Sequence, residues 1–417
     1  MTGPARDDWV DFRIGFQPGF NGFRGVGILT FLLYHAQVAN YGKVNTALVP
    51  GAFLWLDMFF VQSGFLIVSL LLEESYRTGR ISLRGFWVRR AARLFPALGA
   101  VCLVVAGLLA LRLGPVEPGR AAWGQLFATL GYVNNWYGLL TDQPPFLYLE
   151  HGWSLSVEEQ FYLVAPVATI LVITAGVRLR TVVAGLVVLA SASAGWMAFL
   201  AARVDDDRRL YYATDTRAQA FFVGVALAFA AAGGLFVAGP RLRRLVRLGG
   251  WAAVPVVCVL LQGAALTDRR VYSGVFLLGS VCFAAMMAAM VQEPDGLLNR
   301  ALAWRPMASV GKVAYGLYLW HWPVFLLLVH YLPWRGPGMI LLQITAALAV
   351  AGASWRYLEA PVLARVHRAR IDRESRPDGR PGTTRLGDTR LGRPPGARRA
   401  GGTDRPGAPS GPPGPPR

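Results

Sequence analysis

Arg24 and His35 stand in the apolar stretch FNGFRGVGILTFLLYHAQ, eleven positions apart. On a helix that spacing is about three turns, so the two side chains share one face roughly 16 Å apart. An imidazole can take a proton from a hydroxyl near neutral pH, and a guanidinium can hold an anion. The pair therefore places a candidate base and a candidate anion site on one rod. Asp57, in LWLDMFFVQSGF, is expected at a similar depth on a helix running the other way, where a carboxylate would fix the tautomer of His35 and raise its basicity. Arg90 and Arg93, in WVRRAARLFPAL, are one turn apart and form a fork suited to phosphate. Glu158 and Glu159 lie about one turn inside a helix start in HGWSLSVEEQFYL, and His321 follows three aromatic residues in YGLYLWHWPVF. Each has a plainer reading: an ion pair for Asp57, a topology flank for the arginines, helix capping for one glutamate, core packing for His321.

These residues matter because of what surrounds them. The chain has 417 residues, 54% hydrophobic and only 16% charged, which excludes a single water-soluble domain. An all-α polytopic membrane protein follows. Apolar runs near the length of a bilayer span occur at about 23–40, 50–72, 95–113, 153–175, 181–202, 217–238, 249–267, 271–291, 307–330 and 339–358. An eleventh stretch, 123–140, carries Gln125, Asn134 and Asn135, each needing a partner in hydrocarbon, and is expected to be interfacial or re-entrant. With ten spans, the arginine clusters of 73–94, 176–181 and 239–248 and the arginine-rich tail all fall on one side, the cytoplasm, and both termini with them. The net charge of +18 is almost all arginine in such flanks, which argues against a nucleic-acid partner. Residues 1–22 are expected to be a cytoplasmic N-terminus without a cleaved signal peptide, 23–361 the membrane domain, and 362–417 a disordered basic, Pro/Gly-rich cytoplasmic tail. The three cysteines sit inside apolar runs, and no metal site is expected.

Taken in order, GFNGFRGVGILTFLLYHA, DMFFVQSGFLI, RRAARLFPAL, EHGWSLSVEEQFYL, YGLYLWHWPVF and YLEAP resemble the acyltransferase-3 family of bacterial integral-membrane O-acyltransferases. Asn21, Phe23 and Gln62 depart from the residues usual there. The resemblance implies transfer of an acyl group, commonly acetyl, from acyl-CoA to a hydroxyl of a carbohydrate, lipid-linked glycan or secondary metabolite. It implies His35 as catalytic residue, with Arg24, Arg90 and Arg93 holding the cytoplasmic CoA donor; the placement of the residues themselves adds Asp57 and Glu158 as catalytic candidates. Trp153, Ser154, Glu159, Tyr162 and His321 are assigned to acceptor binding. Acyl-CoA would be a co-substrate, with no permanently bound cofactor, in a multi-pass protein of the cell membrane. Some relatives carry a C-terminal hydrolase-like domain that completes delivery outside; this chain is expected to be a stand-alone form.

The competing class is a transporter or flippase for a glycan or lipid, since intramembrane charge serves that function too. Acyl transfer requires the imidazole of His35, whereas a transporter tolerates glutamine there. The acceptor, the acyl length and the oligomeric state are not encoded in spacing.

Overall fold

The computed structural model describes residues 15, 17–42, 48–141, 146–237 and 239–375; the acidic N-terminus and the Pro/Gly-rich tail beyond 375 lie outside them. Among the described residues there is no strand, and the fold is helical throughout. Ten helices of at least 18 residues occupy the ten expected stretches. The first three are α1 (Pro18–Tyr41), α2 (Trp55–Thr78) and α3 (Leu83–Ala110), and two short helices follow, α4 (Arg120–Leu130) and α5 (Asn134–Leu140). Next come α6 (Trp153–Thr174), α7 (Leu179–Ala201), the short α8 (Asp207–Tyr212), α9 (Thr214–Ala232), α10 (Pro240–Gly263) and α11 (Val275–Gln292). Two more short helices, α12 (Leu297–Leu302) and α13 (Arg305–Lys312), lead into α14 (Ala314–Tyr331), α15 (Pro337–Ser354) and α16 (Ala360–Ser375).

Among the described residues, seven helical segments are long and apolar enough to cross a membrane, or eight if α13 and α14, bent by 73° at their junction, form one span. The helices α1 and α9 fall outside that count although they have 24 and 19 residues. They carry Asn21, Arg24 and His35, and Asp215, Arg217 and Gln219, which lower their mean hydropathy. Neighbouring helices supply partners that lipid cannot to His35, Asp215, Arg217 and Gln219. By contrast α7 and α10 keep apolar side chains such as Val188, Leu189 and Val259 exposed, as a lipid-facing helix does.

Stretch 123–140 is broken, as its polar residues require. The helices α4 and α5 have 11 and 7 residues, about 16 and 10 Å of rise, too short to span. Gln125 accepts from the Leu149 amide at 2.9 Å, Asn134 donates to the Leu149 carbonyl at 2.8 Å, and Asn135 donates to the Thr214 hydroxyl at 3.0 Å. The expected tail boundary at 362 shifts: α16 continues the chain as helix to Ser375, entered through a π-helical turn at Trp355–Glu359. Runs such as VLARVHRAR are good helix formers, and only beyond them do Gly and Pro accumulate.

Two close helix contacts set the register of the interior. A Cβ on Gly224 of α9 would lie 2.1 Å from the Val61 carbonyl oxygen of α2, so only glycine lets these backbones meet. On α1, a Cβ on Gly25 would lie 2.0 Å from the Met307 carbonyl oxygen of α13. The basic connectors gather at the same end as the start of α1. There Arg89 pairs with Glu74 at 3.3 Å, Arg247 with Glu293 at 3.5 Å, and Gln292 donates to the Arg243 carbonyl at 2.7 Å. The near-neutral connector 203–217 joins the α10–α11 connector through Arg269, 3.4 Å from Asp207.

Candidate functional site

Four residues of α1 form one stripe: Arg24, Ile28, Phe31 and His35, at steps of four, three and four. They serve two different cavities. The larger, about 370 Å³, takes Arg24 and Ile28, together with Arg89, Arg90 and Arg93 of α3 and Glu158 and Tyr162 of α6. The smaller, about 170 Å³, takes Phe31 and His35, with Glu150, His151, Trp153, Tyr212 and Trp322.

In the larger cavity the arginines are only partly committed. Arg90 lies 3.7 Å from the centroid of the Tyr162 ring and 3.9 Å from Glu159. Among the described residues neither Arg24 nor Arg93 makes a hydrogen bond or an ion pair. Two cations at a cavity wall, neither in an ion pair although Glu158 is near enough to attract both, suit an anionic ligand such as a phosphate group. Leu56, Phe59, Phe60, Leu66 and Ile67 continue the wall as an apolar slot. Ser154, Glu158 and Tyr162, spaced by four, present one face of α6 to this cavity. Glu158 accepts hydrogen bonds from both Ser63 and Tyr162.

The smaller cavity is built of rings. Trp153 stacks on Tyr212 at 5.0 Å, and His35 lies 5.2 Å from Trp322. Burial, reinforced by Glu150, holds the Tyr212 phenol above its usual range, so this hydroxyl remains a neutral donor. His35 Nδ1 is 2.8 Å from His321 Nε2, and His321 Nδ1 is 2.5 Å from the Tyr318 carbonyl oxygen. A carbonyl only accepts, so the proton of neutral His321 sits on Nδ1 and its Nε2 is an acceptor. His35 Nδ1–H must then donate to it, which leaves His35 Nε2 carrying the lone pair. A chain of two imidazoles and a backbone carbonyl thus assigns the basic nitrogen. His151 packs against His321 at 5.0 Å between ring centroids, and neither of its own nitrogens has a partner among the described residues.

Several sequence expectations change. Asp57 does not face His35. It is fully buried and pairs with Arg217 of α9 at 2.9 Å. Trp55 and Met58 close on Gly27, about 12 Å of helix rise below His35, so α2 enters too low for Asp57 to reach the imidazole. His321 takes the place expected for Asp57, behind His35 rather than on a cavity wall. Glu158 lies in the arginine cavity, away from His35, because the face of α6 that it shares with Ser154 and Tyr162 turns toward α2 and α3. Tyr162 and Ser154 line that same cavity, and Glu159 sits beside Arg90 on neither wall. Trp153 alone of the expected acceptor-binding residues lines the cavity of His35. Sequence reading passed over Arg217, as part of a near-neutral loop, and Glu150. His151 had a signal, its place in the HGWSL segment, but no assigned role.

Comparison with known proteins agrees with the motifs. The pattern of the acyltransferase-3 family, described as an acyltransferase domain, matches residues 17–356. The peptidoglycan O-acetyltransferase OatA of Listeria monocytogenes is 31% identical over 362 residues, covering 83% of this chain and 56% of that protein. The O-acetyltransferase OatA of Staphylococcus aureus is 31% identical over 359 residues, covering 83% of this chain and 57% of the relative. The chain thus spans little more than half the length of these relatives. No solved structure matches it. With residues 17–356 covered by one pattern and the motif residues gathered around two adjoining cavities, the chain belongs to the acyltransferase-3 family of multi-pass, all-helical membrane proteins.

Proposed function

We propose that the protein is a membrane O-acyltransferase that moves an acyl group, acetyl in the first instance, from cytoplasmic acyl-CoA to a hydroxyl of a glycan. The observation that carries this reading is the paired geometry: uncommitted arginines in one cavity and a tautomer-assigned imidazole in the cavity that adjoins it. Arg24 and Arg93, with Arg90, would hold the phosphates of the donor, and the apolar slot would take its arm. The aromatic walls around His35 suit the apolar faces of a sugar ring, with Glu150 available to its hydroxyls. The names of the relatives point to an acetyl group and, for one of them, to peptidoglycan as acceptor.

The chemistry needs no metal or redox group. The acceptor O–H gives its proton to His35 Nε2 as the oxygen attacks the thioester carbonyl. The new C–O bond forms, the C–S bond breaks, and the thiolate leaves and takes up the proton from the imidazolium. The acceptor side would be extracytoplasmic, because the arginine-rich connectors lie at the opposite end from His35. To test this, membranes containing the protein are incubated with labelled acetyl-CoA and cell-envelope or metabolite extracts, and labelled products are identified by mass spectrometry. Label in an O-acyl glycan is expected; no labelled product from wild-type membranes, with His35→Gln membranes indistinguishable from them, would sink the reading.

A further inference from the structure

Residues of four helices, α1, α2, α6 and α14, are divided between the two cavities. On α1 the change falls between Ile28 and Phe31, a rise of about 4.5 Å. On α6 it falls between Trp153 and Ser154. On α2 and α14 it falls at single residues, Leu56 and Tyr318, the two side chains that line both cavities. The partition between donor and acceptor spaces is therefore about one helical turn thick, with a leucine and a tyrosine at its middle.

Tyr318 is held in place there. Its hydroxyl donates to the His151 carbonyl at 2.8 Å and lies 2.5 Å from the Ser154 hydroxyl. The Ser154 hydroxyl also lies 3.3 Å from that carbonyl, so the serine and the tyrosine share it as acceptor and meet each other hydroxyl to hydroxyl. The ring itself stacks on Phe31 at 5.7 Å. Phe31 also lies 4.1 Å from the ring of His35, so the tyrosine is tied to the side of the partition where the base sits.

We propose that Leu56 and Tyr318 form the aperture through which the acyl group reaches His35, and that this aperture sets acyl chain length. The inference rests on the acyl-transfer reading given above. A two-carbon group presented from the arginine cavity bridges a partition one turn thick, with its carbonyl toward the imidazole. A longer chain has to pass an apolar gap bounded by a leucine side chain and a latched ring, or stay folded in the donor slot with its carbonyl withdrawn.

The test uses the full chain in native membranes, with labelled acetyl-CoA, butyryl-CoA and hexanoyl-CoA, and reads label in the envelope glycan. Wild type is expected to favour acetyl. Leu56→Ala widens the aperture without touching a hydrogen bond and should raise the butyryl-to-acetyl ratio by roughly tenfold or more, the discrimination that about one or two methylenes carry in an apolar pocket. Tyr318→Phe keeps the ring and frees the latch, and should raise the ratio by a smaller factor. Leu56→Phe should lower transfer of every donor with labelled CoA still bound, which separates a blocked aperture from a misfolded protein. An unchanged ratio in both Leu56→Ala and Tyr318→Phe, with wild type active and CoA bound, overturns the aperture while leaving the function standing. Absence of transfer from any donor in wild type overturns the function itself, and the aperture with it.

Discussion

At the residue scale, the main consequence is that His35 is supported by His321 and not by a carboxylate. A neutral imidazole that accepts from Nδ1–H orients the ring but adds no negative charge to strengthen the base. His35→Ala is expected to abolish transfer while labelled CoA still binds, since the arginines lie at the other end of α1. His321→Phe fills the space without the acceptor nitrogen; kcat should fall by about 10²–10⁴, the span of general-base effects, with donor affinity unchanged. Loss of CoA binding together with kcat in that variant would mean that His321 acts on the fold. Arg24→Ala and Arg93→Ala should each weaken CoA binding by an amount consistent with about 1.5–3 kcal/mol for a charge-assisted hydrogen bond, read in a binding assay on membranes. Affinity unchanged in both would return the arginines to a topological role.

At the scale of the elements, the buried Asp57–Arg217 pair joins α2 to α9 where the helices approach closely through Gly64 and Gly224. One Asp57 oxygen and two Arg217 nitrogens have no partner among the described residues, so the pair is finely balanced against its desolvation. Asp57→Asn should therefore destabilise the protein by about 3–5 kcal/mol, because it leaves a guanidinium uncompensated in the interior. A thermal melt in detergent checks this, and Asp57→Leu combined with Arg217→Met should recover most of the loss. A melting point unmoved by Asp57→Asn would mean that the charge is solvated. Substituting Gly224 by valine should separate α2 from α9 and cut the yield of folded protein, whereas Gly99→Ala, with open space around it, should be tolerated.

At the scale of the whole molecule, the arrangement predicts sidedness. In a chain with Cys258, the exposed cysteine, replaced, new cysteines at Gly79 and Arg243 should be protected from an impermeant thiol reagent in intact cells, and one at Asp206 should react. Reaction at Gly79 with protection at Asp206 would invert the orientation and put the arginine cavity outside, away from the proposed cytoplasmic donor.

Much of this was legible from the chain itself. Apolar length located ten long helices, and the eleven-residue spacing from Arg24 to His35 placed both on one inward stripe, because helical periodicity is a local property. The cost of Gln125, Asn134 and Asn135 in hydrocarbon likewise located the broken segment between α3 and α6. Partner choice was not legible. Whether Asp57 meets His35 or Arg217 depends on where α2 enters relative to α1, which is set by Gly27, Gly64 and Gly224 accepting neighbouring atoms at close range. Whether Glu158 joins the base or the arginines depends on the rotation of α6 about its axis. Depth and rotation are settled by packing between helices far apart in sequence, and no spacing within one helix records them. The two cavities and the partition of Leu56 and Tyr318 therefore belong to the tertiary structure alone.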